Sequence, residues 1–399
     1  MRVLHVLHHS LPVVDGYSLR TSYILRNETA QGMTVAGVTS AQHPSPAGPA
    51  EVIDGVTIDR TPPYDGTRLP LWREWRLMAR LERQVTAAAR RFRPTVIHAH
   101  SPVLVGHPAM RVANALGIPF VYEIRDLWEN ASVDRGRFSE RSAWYKLARG
   151  FETRVLRRAD AVITICDALR QELASRLPAA DMLFVVANGV DTASFTPIAP
   201  SEELRARWNL SDKEVIGYVG TFQPYEGLDL LVQSLPAIVA QRPRAHLIIA
   251  GGGDGETALR AEVRNRGVER HVTFCGRLPH DQVRQVYALT DVLVYPRRLT
   301  RTTALTTPLK PLEAMAMARA VLVSDVPAMR ELVQPGVTGE VFRAGDVDDL
   351  ARNCVRLLAD PDERGRRGAA ARAWVVKERE WSRNVAEYRN IYNRVARES

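Results

Sequence analysis

Short runs of valine and isoleucine alternate along this chain with longer segments of helical period, and that alternation limits the fold more than any other feature. Buried strands of a parallel sheet, crossed by helices, leave this trace. Two such series follow one another. Residues 3–7, 35–39, 96–99, 120–124, 161–165 and 184–187 supply the strands of the first; residues 215–219, 246–250, 272–275, 291–295, 320–324 and 340–342 supply those of the second. Between them residues 196–203, Thr-Pro-Ile-Ala-Pro-Ser-Glu-Glu, break the pattern and read as a linker. The expected architecture is α/β, with two doubly wound domains, residues 1–195 and 204–380, facing each other across a cleft at the carboxyl ends of their strands. The last segment, residues 381–399, carries Val385, Tyr388, Ile391, Tyr392 and Val395 at helical spacing and is expected to fold back on the first domain.

A chain of 399 residues suits two domains, and a 45% hydrophobic content suffices for a core in each. No run of eighteen uncharged apolar residues occurs, so the sequence offers no membrane span. The opening residues hold His5, His8 and His9 and read as a strand rather than a leader. Cys166, Cys275 and Cys354 are odd in number and lack metal-ligand spacing, which argues against a disulfide frame or zinc site and fits a reducing cytoplasm. The formal charge is +9, yet only four of the 54 basic residues are lysine. With that arginine bias, and no nucleic-acid motif, the charge does not imply a nucleic-acid partner.

Specific likeness begins at Asn188-Gly-Val-Asp191 with Phe195, after Arg158-Ala-Asp-Ala-Val-Ile-Thr-Ile-Cys-Asp167. It continues through Gly217-Tyr-Val-Gly-Thr-Phe222, Glu226-Gly-Leu-Asp-Leu-Leu231, Leu247-Ile-Ile-Ala-Gly-Gly-Gly253, Val272-Thr-Phe-Cys-Gly276, Pro308-Leu-Lys-Pro-Leu-Glu-Ala-Met-Ala316 and Arg330-Glu-Leu332. Together these resemble glycosyltransferase family 4. The resemblance implies the GT-B fold of two Rossmann-like domains and retaining transfer of a hexose-type sugar from a nucleotide diphosphate sugar, with no cofactor besides that donor. In the first half, His8-His-Ser-Leu-Pro12, Asp15-Gly-Tyr-Ser-Leu-Arg-Thr21 and Arg125-Asp-Leu-Trp128 resemble the glycosyltransferases found beside exosortase and PEP-CTERM sorting systems. That narrower likeness implies a glycan or polyprenyl-linked acceptor and a place in exopolysaccharide biosynthesis.

Around Thr306 to Ala316 the residues themselves suggest an anion site. Pro308 and Pro311 suit a first helical turn and Thr307 suits its N-cap, so free amides would meet a diphosphate. Lys310 and Glu313, three apart, would project from one face, the ammonium towards phosphate and the carboxylate towards ribose hydroxyls. An exposed charge pair on an ordinary helix is the plainer reading. Thr306 and Leu309 flank the same turn, while Thr221 and the Gly251–Gly253 run, with Gly252 at its centre, border it from strand ends. By the family resemblance Arg277 and Leu278 would line the base pocket. Two departures from the family pattern stand out. A carboxylate usual eight positions before the ribose-binding glutamate is Leu305 here, and an arginine and lysine that usually grip the diphosphate align with Thr221 and Glu226. Lys310, with Arg301, Arg297 or Arg298, would then have to supply the positive charge.

His98 and His100 end one strand on the same side. The resemblance favours His100 as the acceptor-side catalytic histidine, with a satisfied structural histidine as the alternative. Asp126, beside Arg125, could orient the acceptor hydroxyl or join a structural salt bridge. No carboxylate cluster accompanies the histidines, so no metal is expected. Gly16 would let backbone amides approach a phosphate, or would mark a plain turn before a helix starting near Leu19. Residues 71–92 place Trp75, Met78, Leu81, Val85, Ala88 and Phe92 on one helical face with arginines elsewhere. That helix reads as packing on the sheet, although a basic amphipathic helix also suits peripheral contact with anionic lipid at the inner face of a membrane. The competing functional readings are a GT-B epimerase or phosphorylase, and a degenerate donor-binding scaffold or regulator, the latter motivated by Leu305, Thr221 and Glu226.

Overall fold

In the computed structural model, which describes residues 1–44, 48–64, 66 and 71–398, the strands form two sheets, one in each of two units. Unit 1 contains β1 (Arg2–Leu7), β2 (Thr34–Thr39), β3 (Ala50–Ile53), β4 (Val56–Arg60), β5 (Val96–His100), β6 (Phe120–Ile124), β7 (Ala161–Thr164) and β8 (Leu183–Val185). Their order is β3-β4-β2-β1-β5-β6-β7-β8. Unit 2 contains β9 (Glu214–Thr221), β10 (Ala245–Gly252), β11 (Val272–Gly276), β12 (Val292–Tyr295), β13 (Ala320–Ser324) and β14 (Glu340–Phe342), ordered β11-β10-β9-β12-β13-β14. All pairings are parallel except β3 with β4. Helices cover both faces, which is why β5, β6, β7, β12 and β13 are buried along their whole length and read as continuous apolar runs. No helix among the described residues is long and apolar enough to cross a membrane.

The order reverses once in each sheet, between β1 and β5 in unit 1 and between β9 and β12 in unit 2. At such reversals the loops that follow the two strands part, and open α/β sheets hold their ligands there. The antiparallel β3–β4 edge departs from the expected all-parallel series. Asp54 and Gly55 join it, both at positive φ (51° and 79°), as a two-residue hairpin turn requires.

The boundary between units differs from the expected linker at 196–203. Unit 2 begins at Gly189 and ends at Glu380. Val190 N–H donates to Arg379 O (2.8 Å), and Val190 and Phe195 are buried in the core of unit 2. Ile198, inside the expected linker, also packs on that core. Hydrophobic burial thus draws the proline-bearing stretch onto unit 2 rather than leaving it as a solvated tether.

The final helix, Trp381–Glu398, belongs to unit 1 and packs on the helix Gly16–Ala30. Its spaced apolar side chains, Trp381, Val385, Tyr388, Ile391, Tyr392 and Val395, are all buried. Trp381 stacks on Tyr23 with ring centroids 5.3 Å apart. Tyr388 donates its hydroxyl hydrogen to Glu123 Oε2 and accepts from Arg20 Nη2 (2.9 Å). Arg20 also donates to Glu123 Oε1 (3.1 Å), Asn188 Oδ1 (2.8 Å) and Val186 O (2.9 Å), so one guanidinium joins β6, the strand exit at 186–188 and the last helix. Tyr388→Phe strips a partner from each of two buried charges, and the expected cost is about 1–3 kcal/mol. A urea midpoint that falls with m unchanged would agree; an unmoved midpoint would show that the hydroxyl adds nothing.

Candidate active site

At the reversal in unit 1 the chain places His5, His98 and His100, each fully buried, with ring nitrogens within 4.8 Å of one another. Their hydrogen bonds fix the tautomers. Arg125 Nη2 donates to His100 Nδ1 (2.7 Å), so His100 carries its proton on Nε2 and donates to His5 Nδ1 (2.9 Å). His5 Nε2–H then donates to Glu28 Oε2 (2.7 Å). Tyr392 donates to Glu28 Oε1 (2.8 Å), which leaves its oxygen to accept from His98 Nδ1 (2.7 Å). Glu123 Oε1 is also 3.5 Å from His100 Nδ1, too far to compete with the guanidinium. Glu123 itself accepts from Arg20 and Arg125, and those two cations hold its carboxyl well below the usual range despite full burial.

This geometry does not suit a cation. Ligation through His100 Nε2 would move its proton to Nδ1, where it would face an Arg125 N–H, and two guanidinium groups already stand nearby. Nor does it suit an acceptor. His100 was expected to meet a substrate hydroxyl as a catalytic group, but its ring is closed off from solvent by His5, His98 and Arg125. Its two ring nitrogens are taken up by His5 and Arg125. Burial, then Arg125, pushes its pKa down to about 3, and burial, then His100 and His5, takes His98 well below the ordinary value.

Nearer the surface, a second group follows β1. His9 Nε2 donates to Asp15 Oδ2 (2.7 Å), His9 lies over Tyr17 (4.7 Å), and Arg125 covers the same tyrosine (4.4 Å). Asp15 is also the N-cap of the helix Gly16–Ala30, its Oδ1 accepting from Ser18 N–H (2.8 Å). The helix therefore starts at Gly16, not near Leu19, and a carboxylate already sits at its amino end. That arrangement disfavours the expected phosphate approach at Gly16. Asp126 follows β6 and is exposed to solvent. In the helix Trp72–Phe92 the packing face is Leu77, Leu81, Val85, Ala88 and Ala89; Trp75, expected on that face, is exposed and stacks on Trp72 (5.4 Å).

At the reversal in unit 2 the carboxyl ends of β9 and β12 carry a different charge set. The helix Lys310–Ala316 begins two residues later than expected, with Leu309 at its N-cap position and no side-chain cap. Thr307 is buried before it, not capping it, and Pro308 also precedes it, so only Pro311 occupies the first turn. Within this helix Lys310 and Glu313 are half-buried and every other residue is buried, so the two share its open side. Tyr287 donates to Glu313 Oε2 (2.7 Å). The Lys310 side chain lies along the end of β9 against Gly220, whose φ of +155° favours glycine there. The same holds at Gly251, where φ is +136° and a Cβ would strike the Gly220 carbonyl. Lys310 Nζ stands 5.8 Å from the Tyr218 ring, and burial lowers its pKa.

Arg297, two residues after β12, is buried and paired with buried Glu226 (Nε to Oε2 3.3 Å, Nη2 to Oε1 3.4 Å), and it donates to Thr306 O (2.8 Å). Arg298 instead pairs with Asp229, and Arg301 opens the next helix and is half-buried. Thr221 is exposed at the end of β9 opposite Gly252 of β10, and exposed Arg277 crosses Gly252, where a Cβ would meet its Nε at 3.1 Å. Leu278 packs half-buried on the core. The two pairs that sequence reasoning passed over are His9–Asp15, which an Asp-Gly start before a helical stretch could have flagged, and Glu226–Arg297, which no local signal announces.

Comparison with known proteins fits this architecture. Residues 15–189 match the family model of the glycosyl transferase 4-like domain, and residues 200–374 that of glycosyl transferases group 1. A GDP-mannose-dependent alpha-(1-6)-phosphatidylinositol monomannoside mannosyltransferase of Mycobacterium tuberculosis is 33% identical over 245 residues, 60% of this chain and 63% of that protein. The match thus spans less than two thirds of that relative's length. A GDP-mannose-dependent alpha-mannosyltransferase of Mycolicibacterium smegmatis is 28% identical over 392 residues, 94% of each chain. Among solved structures, sucrose-phosphate synthase from Thermosynechococcus elongatus superposes over the whole of both chains (TM-score 0.82, 20% identity). Anabaena HepE in complex with UDP and glucose superposes over 98% of each chain (TM-score 0.74, 16% identity). The fold is GT-B, and with a glycosyltransferase-domain model matching each unit the chain belongs to glycosyltransferase family 4.

The buried neutral imidazoles carry a pH signature. An unfolded histidine takes up a proton below about pH 6.5, whereas the folded His100 ring stays neutral down to about 3. Its contribution is present above 6.5 and is lost as pH falls towards that lower value. Between pH 7 and 5 the expected loss is about 2 kcal/mol for each such ring, read as a falling urea midpoint. His100→Gln should remove about one proton's worth of that slope; an unchanged slope would contradict the neutral assignment.

Proposed function

We propose that this protein transfers a hexose from a nucleoside diphosphate sugar to a hydroxyl of a glycan or lipid-linked acceptor, with retention of anomeric configuration. One observation carries the reading: a half-buried ammonium, Lys310, laid against a glycine at the strand reversal of unit 2 beside a second buried cation, Arg297. Two cations stand there with two carboxylates, but Glu226 is paired with Arg297 and Glu313 is held by Tyr287, so Lys310 is the group that meets an entering diphosphate. Glu313, oriented by Tyr287, takes the ribose hydroxyls. In the reaction the acceptor oxygen bonds to the anomeric carbon on the face from which the diphosphate departs, and the sugar–phosphate bond breaks. The electron pair stays on the leaving phosphate, whose oxygen takes the acceptor's proton. Lys310 and Arg297 meet the charge that develops, and no divalent ion is required for that step. The names of the relatives make GDP-mannose the first donor to try, with UDP-glucose beside it.

The acceptor side of the reading is a lipid-linked glycan in exopolysaccharide assembly, supported by the first-unit motifs and by the surface of unit 1. Leu71, Trp72, Trp75, Trp128, Trp144 and Leu147 are exposed. The helices Trp72–Phe92 and Ala143–Leu156 each run back to the amino end of a parallel strand, so their first turns, with these side chains, stand at the carboxyl edge where ligands bind. Arg76 caps the Trp72 and Trp75 rings, and Lys146, Arg149, Arg154, Arg157 and Arg158 line a groove along the second helix. Aromatic tips on basic shafts suit the inner, anionic face of a membrane.

Lys310→Ala should weaken binding of GDP or UDP by about tenfold or more in titration calorimetry, at an unchanged melting temperature. Wild-type affinity in that variant would remove the donor site. Co-sedimentation with phosphatidylglycerol vesicles, but not with phosphatidylcholine vesicles, is expected for the protein and should fall several-fold in Trp72→Ser/Trp75→Ser. No sedimentation of the wild type with either would remove the membrane face.

A further inference from the structure

Glu226 is the least expected member of the unit 2 cluster, because it places a buried carboxylate in a site read above as one for an anion. It ends the short turn Pro224–Glu226 after β9, and both its oxygens face Arg297, at 3.3 and 3.4 Å. Arg297 has a second tether, the Thr306 carbonyl at 2.8 Å, and its guanidinium lies 5.7 Å from the Tyr225 ring. Lys310 is anchored separately, its carbonyl accepting from Tyr295 (3.0 Å) and its side chain filling the space left by Gly220. The groups facing the ammonium are therefore Tyr218 and Gly220 from β9, Glu226 from the following turn, Arg297 after β12, and Glu313 on its own helix. Without Glu226 two cations would share one half-buried corner, and Arg297 would be held only by a carbonyl.

We propose that Glu226 is a positioning residue for the donor's diphosphate: its carboxylate clamps the Arg297 guanidinium and keeps Arg297 and Lys310 together as a preformed pair. This rests on the donor-site reading of Lys310. Two physical effects oppose each other at Glu226, and their signs differ. If charge alone counted, removing a carboxylate beside an anion site would tighten anion binding. If the clamp counts, its loss frees Arg297 and leaves Lys310 beside an uncompensated cation, so anion binding weakens and the ammonium loses its proton more readily.

The test is titration calorimetry with GDP and UDP on the full chain across pH 6–10, comparing wild type, Lys310→Ala, Glu226→Gln, Glu226→Asp and Arg297→Lys. Weakening by about tenfold in Glu226→Gln is expected, with the alkaline limb of binding moved to lower pH and partial recovery in Glu226→Asp. Arg297→Lys, which keeps the charge but loses the Nη2 hydrogen bond to Glu226 Oε1, should also weaken binding. Tighter or unchanged binding in Glu226→Gln, with the alkaline limb unmoved, overturns the proposal. If that variant does not fold, wild-type affinity in Arg297→Lys overturns it equally. The two readings fail apart: wild-type affinity in Lys310→Ala removes the donor site itself, whereas loss in Lys310→Ala with none in Glu226→Gln removes only the clamp.

Discussion

A parallel sheet that is wound in both directions has one place where the loops leaving neighbouring strands must diverge, and this chain contains two such places. Right-handed crossovers force the divergence, since helices on either side of the reversal lie on opposite faces. Everything that distinguishes the two units chemically is gathered at those points. Each gap must be filled by side chains or left for a ligand, and the units answer differently.

Unit 1 fills its gap with its own charges. Glu123 and Glu28 are met by Arg20, Arg125, the imidazoles of His5, His98 and His100 and two tyrosines from the last helix, and the group is sealed from water. Such a network is costly to break because each member depends on its partners for compensation. It consequently fixes the strand ends after which His9, Asp15 and Asp126 stand nearer to solvent. Unit 2 fills its gap with a smaller set, Lys310 and Arg297 with Glu226 and Glu313, in which Lys310 and Glu313 stay half-buried and the lysine side chain lies against Gly220.

Much of this was legible in the sequence, and the parts that were not share a cause. Every parallel strand except β4 was visible, because strands buried on both faces must be apolar throughout. The β3–β4 hairpin was not, since its strands are short and only Asp54-Gly55 marks the turn. The spacing of Lys310 and Glu313 located the open side of their helix, a local property. Its start was misplaced because two prolines, Pro308 and Pro311, both suit a first turn and only packing selects the second. The place of His100 at a strand end suggests access; its burial depends on His5 and Arg125, which come from distant segments. The Glu226–Arg297 pair, 71 positions apart, was invisible for the same reason.

The most direct measurement follows from a compositional accident: the chain has only four lysines, Lys146, Lys213, Lys310 and Lys377. Lysine-selective isotope labelling with NMR detection, assigned by a Lys310→Arg variant, can therefore watch one ammonium while GDP or UDP is added. The account requires the Lys310 signal to move and its pKa to rise as the diphosphate binds, with the other three unmoved. A saturable nucleotide complex that leaves Lys310 unperturbed would contradict it.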